Sequence, residues 1–275
     1  MKFAFSSNAY RNFTIEESID SIHLAGYEAI EIMCDVPHAF PPISNGKINS
    51  IQNSLKKNSM SISNLNGFMM KAIEDFHHPS WIEESANYRK KRIEHTKNCL
   101  VLADILGAKT VSTEPGGPKT NQSTKKEYDL FLKGLFEVLP IAEELQVTLL
   151  IEPEPELLIE NSTQFLDLIE KFNSKYIGLN FDIGHFYCVN EDPSELIIQM
   201  KDYIHHIHLE DIDYSRKHHH LIPGHGTIDF KSIFSSLNKI NYDGFVTVEL
   251  YPYQENPQLA AIESLKFLNS VREYA

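Results

Sequence analysis

Short segments rich in β-branched residues alternate with longer amphipathic segments, eight of each, along all 275 residues. No other feature limits the fold as much. A strand–helix–strand unit joins parallel strands, and a parallel sheet must be covered on both faces. The predicted strands are 3–6, 29–33, 61–66, 110–113, 148–152, 176–182, 206–209 and 245–250. The predicted helices are 15–25, 48–57, 88–106, 125–145, 162–172, 193–200, 230–240 and 257–271. Their apolar residues recur three and four apart, as at Leu132, Leu135, Phe136 and Leu139. Thr14 before Glu16-Glu17, Asp192-Pro193 and Asp229 mark helix starts, and Gly26 and Gly107 mark stops. Eight such units in this length predict one (β/α)₈ TIM barrel, a single domain over 1–275. An open doubly wound sheet is the competing architecture, but no glycine-rich dinucleotide turn follows the first strand.

Charge narrows the partners. The formal net charge is −13, whereas a general nucleic-acid binder carries a basic face. An anionic ligand would need local cationic groups to overcome that field. Cys34, Cys99 and Cys188 show no framework spacing and read as reduced thiols of a cytosolic protein. The run Met1-Lys2-Phe3-Ala4-Phe5-Ser6 is too short for a signal peptide. No stretch approaches the roughly 18 apolar residues of a membrane span. We therefore expect a cytoplasmic protein acting on a small molecule, with no nucleic-acid or membrane partner. Homo-oligomer formation is compatible with this reading.

The chemistry of a parallel barrel lies at the C-terminal ends of its strands. Four consecutive predicted strands reach their ends at Glu152, Asp182, His208 and Glu249. Three carboxylates crowded at one barrel mouth repel one another and are costly to bury. One divalent cation removes that cost. Three carboxylates and one imidazole suit Mn²⁺, the expected ion, and also Mg²⁺, Co²⁺ or Zn²⁺.

Several motifs then carry a resemblance. They are Ile151-Glu152-Pro153, Phe181-Asp182-Ile183-Gly184-His185, His206-Ile207-His208-Leu209-Glu210-Asp211, the run from Pro223 to Phe230 and Val248-Glu249-Leu250. In order and spacing the chain resembles the sugar phosphate isomerase/epimerase superfamily, the xylose isomerase-like TIM barrels. The resemblance spans the C-terminal half by motif and the N-terminal half by element pattern only. It implies that Glu152, Asp182, His208 and Glu249 hold one metal ion and that His185 touches the substrate, holding a hydroxyl or sharing the catalytic proton work. Chemistry agrees. Isomerisation or epimerisation beside a carbonyl removes a proton from carbon, and the oxyanion so formed needs a positive centre. Glu152 and Glu249, on separated strands, can serve as the acid/base pair.

Further candidates surround this set. Arg216, His219 and His220 lie in the loop after the seventh strand and are expected over the mouth. Asn8, Asn66 and Glu114 follow other strands and are placed to meet substrate hydroxyls. Gly116-Gly117 could offer amides to an anion, but Glu114 beside them argues for a plain loop, and Gly224 and Gly226 either expose amides or serve only their turn. The long segment 68–87 reads as a lid, and Phe76 and Trp81 within it read either as pocket walls or as core packing. Ketohexose epimerases of the superfamily carry an arginine just before the Pro-Gly turn and an acid six residues after the strand-five Glu. This chain has histidines and Leu158 there, so a simple ketohexose is a poor fit. Glu154 and Glu156 read as a stiff exposed turn.

The function expected is a metal-dependent isomerase or epimerase of a small keto-sugar or polyol. The alternative is a dehydratase on a keto-cyclitol or keto-sugar acid, since loss of water begins with the same proton abstraction. A DNA-repair endonuclease is disfavoured, because Asn66-Gly67 and Glu114-Pro115 stand where a three-zinc cluster needs histidines. A non-catalytic binding protein is disfavoured by the intact four-residue set.

Overall fold

A computed structural model of the chain describes residues 1–71, 75–120 and 122–272. Eight strands close a barrel in sequential order. They are β1 (Lys2–Ser6), β2 (Ala29–Met33), β3 (Ser61–Asn66), β4 (Thr110–Thr113), β5 (Thr148–Ile151), β6 (Ile177–Asp182), β7 (Ile204–Leu209) and β8 (Phe245–Val248). All pairings are parallel, and Lys2 of β1 against Phe245 of β8 closes the ring. The helices are α1 (Ile15–Leu24), α2 (Asn45–Lys57), α3 (Ala86–Leu106), α4 (Thr124–Leu145), α5 (Ser162–Ile169), α6 (Ile183–Cys188), α7 (Pro193–Gln199), α8 (Phe230–Lys239) and α9 (Pro257–Arg272). The expected (β/α)₈ architecture is what forms.

The strands place the site through their period of two. Leu149, Ile151, Leu179, Phe181, Ile207, Leu209, Val246 and Val248 join the apolar core shared with the helices. The alternate residues Asn180, Asp182, His206, His208 and Thr247 are also buried, but among polar groups inside the barrel. There Ser63 and Thr247 share a hydrogen bond of 3.1 Å, and Asn64 Nδ2 donates to Ser112 Oγ at 2.9 Å. Buried polar groups must be paired, so this interior is a connected network rather than an apolar filling.

Two strands stop earlier than expected. β5 ends at Ile151 and β8 at Val248, so Glu152 and Glu249 lie just beyond the ladder. Pro153 follows Glu152 and cannot donate to a ladder, which ends pairing there. Two short elements escaped the sequence reading: a 3-10 turn at Ser7–Tyr10 and the helix α6. α6 is capped by Asp182, whose Oδ1 accepts from the His185 amide at 2.7 Å. That cap uses one oxygen and turns the other, Oδ2, into the barrel mouth. For Trp81 the core-packing reading holds. Its ring meets Phe131 edge-on at 5.8 Å and its Nε1 donates to Thr113 Oγ1 at 3.1 Å. It packs in the core between barrel and helices.

Candidate metal centre and active site

Glu152, Asp182, His208 and Glu249 offer one ligand atom each, all within 4.8 Å of one another, and all four residues are buried. His208 Nδ1 lies 2.7 Å from Glu152 Oε1, 3.7 Å from Glu249 Oε1 and 3.9 Å from Asp182 Oδ2. Among the described residues, Glu152 Oε2 and Asp182 Oδ2 are buried without a hydrogen-bond partner. Buried carboxylate oxygens that converge without donors fit a cation. Asn8 and Asn66 each donate a side-chain N–H to Glu249 Oε1, at 2.9 and 3.1 Å. Both asparagines thus hold a carboxylate in place instead of facing a ligand alone.

The sequence reading missed Glu31. Its Oε2 lies 2.6 Å from His208 Nε2 and 3.5 Å from His206 Nε2, and it accepts from Asn64 Nδ2 at 2.8 Å. A carboxylate on one imidazole nitrogen orients the other toward a metal and raises its basicity. One signal was available: an acid in the middle of Ala29-Ile30-Glu31-Ile32-Met33 has no reason to be there unless paired. Burial works against the charged forms of both partners. Yet His208 holds Glu31 well below the ordinary carboxylate range, and Glu152 and Glu31 hold His208 well above 6.5.

Three more histidines line the mouth. His185 Nδ1 donates to the Pro153 carbonyl, and His220 Nδ1 to the Glu249 carbonyl, each at 2.9 Å. His218 Nε2 lies 3.0 Å from the Nε2 of both His185 and His220. Burial pushes His185 and His218 down to about 3 and His220 well below 6.5. His218 was not singled out in the sequence, and its neighbour His219 is exposed. Glu154, expected on an exposed turn, is buried and points into the same space, with Oε1 3.6 Å from His218 Nδ1. Glu210 is fully buried beside Asp182, and burial with that neighbouring carboxylate holds its carboxyl well above the ordinary range, so that it can share a proton with Asp182. A cavity of about 30 Å³ is bounded by these groups on one side and by Phe68, Met69, Phe76 and Tyr251 on the other. That volume holds little more than one water. A ligand larger than water needs some part of this lining to move. The predicted lid segment supplies part of the wall; its residues 72–74 lie outside the described residues.

These groups fix the sign of a pH effect. Burial, then neighbouring carboxylates, raise Glu154 well above 4.5. Burial, with Asp182 next, does the same to Glu210, and burial, outweighing the charge of His208, does the same to Glu249. Without a metal, the folded form keeps protons on these acids and on His208 that the unfolded chain loses as pH rises. His185, His218 and His220 act oppositely, but only below about pH 6.5, where the unfolded chain takes up their protons. Above about pH 6.5 those histidines no longer oppose the loss, and the Cys99 thiol, held down to about 5 with His95 and Arg92 beside it, opposes it by one proton against several. The melting temperature of metal-free protein should therefore fall between about pH 6.5 and 8.5, and added Mn²⁺ should flatten that slope. Thermal unfolding across this range checks it, and a metal-free protein that gains stability with pH contradicts the assignment.

Other predicted residues do not reach the pocket. Arg216 stacks on the Tyr187 ring, 3.9 Å from its centroid, and donates to the Tyr187 carbonyl at 2.7 Å. Glu114 accepts from the amides of Trp81 and Gly116 at 3.0 and 2.8 Å and lies 3.8 Å from buried Arg92. The Gly116 amide is thus occupied by a neighbour and is not offered to an anion. The glycine turn after β7 behaves likewise. Asp211 accepts from the amides of Gly224, Gly226 and Ile228 at 2.8, 2.8 and 3.1 Å. A Cβ on Gly226 would lie 2.3 Å from both Asp211 Oδ1 and the Ile212 carbonyl oxygen, so the close approach requires glycine. Asp211→Ala leaves those three amides unpaired and should cost on the order of 3 kcal/mol. Because the same loop carries His218 and His220, we expect weaker metal retention along with the lower melting temperature.

The comparisons with known proteins agree with this fold. Residues 19–271 match the family model described as the xylose isomerase-like TIM barrel. The chain belongs to that family. An inosose dehydratase of Clostridium perfringens is 23% identical over 289 aligned positions, covering 93% of this chain and 89% of that protein. A D-tagatose 3-epimerase-like protein superposes with a TM-score of 0.84 at 23% identity, over 100% of this chain and 99% of the other. The IolI protein, solved with a bound zinc atom, gives a TM-score of 0.82 at 19% identity, over 100% and 99%. These two structures share the fold of this xylose isomerase-like barrel. No described helix is long and apolar enough to cross a membrane.

Proposed function

We propose that this xylose isomerase-like barrel is a divalent-metal-dependent isomerase or epimerase of a small keto-sugar or related polyol. The observation that carries the proposal is the convergence of Glu152, Asp182, His208 and Glu249 under a small pocket that is polar on one side and aromatic on the other. When bound, the ion supplies the positive charge that an oxyanion beside the reacting carbon requires. Mn²⁺ suits the carboxylate-rich set, and the zinc atom of the IolI structure supports a divalent ion in this family. Asn8 and Asn66 orient the Glu249 carboxylate. Glu31 orients His208. Glu152 and Glu249 take and return the proton on carbon. His185 and His220 line the pocket and meet substrate hydroxyls, and the Phe76 and Tyr251 rings cover the C–H face of a sugar.

A second reading has its own support. Glu154 adds a buried carboxyl on the pocket wall, and the inosose dehydratase relative aligns over 89% of its length. Loss of a hydroxyl as water needs a proton donor beyond the base, and Glu154 is placed to give one. Turnover of candidate keto-sugars and keto-cyclitols in D₂O tests both readings. Deuterium entering at the carbon beside the carbonyl, with product mass otherwise unchanged, supports the isomerase or epimerase. Loss of one water selects the dehydratase, since elimination leaves the deprotonated carbon in a double bond with or without deuterium. Mass-neutral turnover without any deuterium at carbon overturns the isomerase or epimerase reading, and turnover that loses no water overturns the dehydratase.

A further inference from the structure

Three groups that the site at the barrel mouth does not use meet around Gly67. Along β2, Glu31 reaches His208 and Met33 packs with Phe68 and Met69, whereas Ile30, Ile32 and the following Cys34 join the core shared with the helices. The register sets Met33 opposite Asn66, so Cys34 comes level with Gly67, and the Cys34 amide donates to the Asn66 carbonyl at 2.7 Å. From the helix side, Cys99 of α3 brings its Sγ to 3.3 Å from where a Cβ on Gly67 would stand. Arg92, also on α3, donates from Nη1 to the Gly67 carbonyl at 2.8 Å. The two cysteines are fully buried, and their thiols hydrogen-bond to each other.

The surroundings favour a negative charge on Cys99. Arg92 is fully buried, and its Nη2 has no hydrogen-bond partner among the described residues. Glu114, 3.8 Å from Arg92, is pushed up to about 7 by burial, so near neutral pH it offsets the guanidinium only in part. His95 Nε2 lies 3.5 Å from Cys99 Sγ. Burial works against a thiolate here, yet the Cys34 thiol, His95 and Arg92 outweigh it and hold Cys99 down to about 5. Cys34 stays protonated, raised well above 9 by its hydrogen bond to Cys99 and by burial. A thiolate next to a second thiol is the arrangement in which a sulfenic acid passes on to a disulfide. A cavity of about 370 Å³, lined by Phe40, Pro79, Tyr88 and His95 among others, adjoins the pair. His95 both lines this cavity and touches Cys99, and its Nδ1 is buried without a partner among the described residues.

We propose that Cys34 and Cys99 are a redox-active pair that hydrogen peroxide converts to a disulfide, with Cys99 as the attacking sulfur and Cys34 as the resolving one. The Cys99 thiolate attacks one peroxide oxygen and the O–O bond breaks. Sulfur is oxidised to the sulfenic acid, and hydroxide leaves as water with the proton that the thiol had released. Cys34 then attacks the Cys99 sulfur. The S–O bond breaks, the S–S bond forms, and a second water leaves with the Cys34 proton. A dithiol reductant reverses the change. The new bond joins the end of β2 to α3 behind Gly67, which stands between Asn66, a donor to Glu249, and Phe68 of the pocket wall. The redox state of the pair is thereby tied to the backbone that carries both.

The test uses the full chain, reduced and then freed of reductant, with free thiols counted in denaturant before and after peroxide treatment of the folded protein. The count should fall from three to one, with peptide mapping showing Cys34 joined to Cys99. Cys188, which burial pushes up to about 12, should stay free as the internal control. Dithiothreitol should restore all three thiols. Three thiols remaining after peroxide, or a bond that involves Cys188, overturns the pair. The urea-unfolded chain, oxidised alongside, should give a mixture of pairings; the same mixture from folded protein also overturns the proposal. Dimedone, which traps sulfenic acids, should label Cys99 in Cys34→Ser. Label on Cys34 in Cys99→Ser, with none on Cys99 in Cys34→Ser, overturns the assignment of the attacking sulfur. The wild-type count and mapping need no variant, so they decide the proposal even where a substitution prevents folding.

Discussion

His208→Ala should abolish retention of the ion at the Glu152–Asp182–His208–Glu249 set and lower turnover by at least about 10³-fold. The expectation rests on where the ring sits. His208 is fully buried, with Glu152 at 2.7 Å on Nδ1 and Glu31 at 2.6 Å on Nε2. It is the nitrogen donor among three carboxylates, and no described side chain stands ready to replace it in that set. The variant also removes the cation that Glu31 faces, and breaking a buried pair costs roughly 3–5 kcal/mol. Melting temperature should therefore drop even in metal-free protein, although the barrel core, which His208 does not join, keeps the fold. Metal analysis, circular dichroism and kinetics on one preparation check all three consequences. A folded variant that keeps stoichiometric metal in this set would show that His208 is not a ligand.

Glu152→Gln and Glu249→Gln should each lower turnover by about 10²–10⁴-fold, the range of a lost general base or acid. The two carboxylates come from β5 and β8, three strands apart, yet both lie within 4 Å of His208. The proposed proton transfer requires a substrate carbon that both carboxylates can reach. The isosteric amide keeps size and hydrogen bonding but cannot take a proton from carbon. If the pair divides the work, one variant should lose solvent-deuterium exchange at carbon and the other should keep exchange while losing net conversion. Glu249→Gln carries a further structural effect, because Asn8 and Asn66 both donate to the oxygen that would become part of an amide. Metal content measured in parallel separates loss of the proton carrier from loss of the ion. Full turnover in either variant with metal retained would remove that residue from the proton transfer.

The elements and their order were legible because they follow from local pattern. Strands β2, β3 and β4 form over the residues expected, since short β-rich runs and helix caps at Thr14, Asp192 and Asp229 are properties of a few neighbouring residues. The four strand-end groups were legible for a related reason. In a parallel barrel every strand end reaches the same mouth, so chemistry can be read from position alone. Arg216 shows the limit of that reasoning. Its loop was expected over the pocket, but the side chain took the nearest aromatic face and carbonyl, those of Tyr187. The loop amides at Gly116, Gly224 and Gly226 met a similar outcome. An acid from the same or an adjoining segment, Glu114 or Asp211, reached them first.

What the sequence alone determined is the barrel and the identity of Glu152, Asp182, His208 and Glu249 as a convergent set. What only the tertiary structure decided is which distant groups complete it. Glu31 is separated from His208 by 177 positions and Asn8 from Glu249 by 241, yet each pair is in hydrogen-bond contact. Closure of the ring between β1 and β8, and the pleat that turns Glu31 inward, create those contacts. The meeting of His185, His218 and His220 likewise needs α6 and the loop after β7 to face each other across the mouth. No periodicity records such distances, because local propensity acts over a turn or two, whereas these contacts are set by how the strands close.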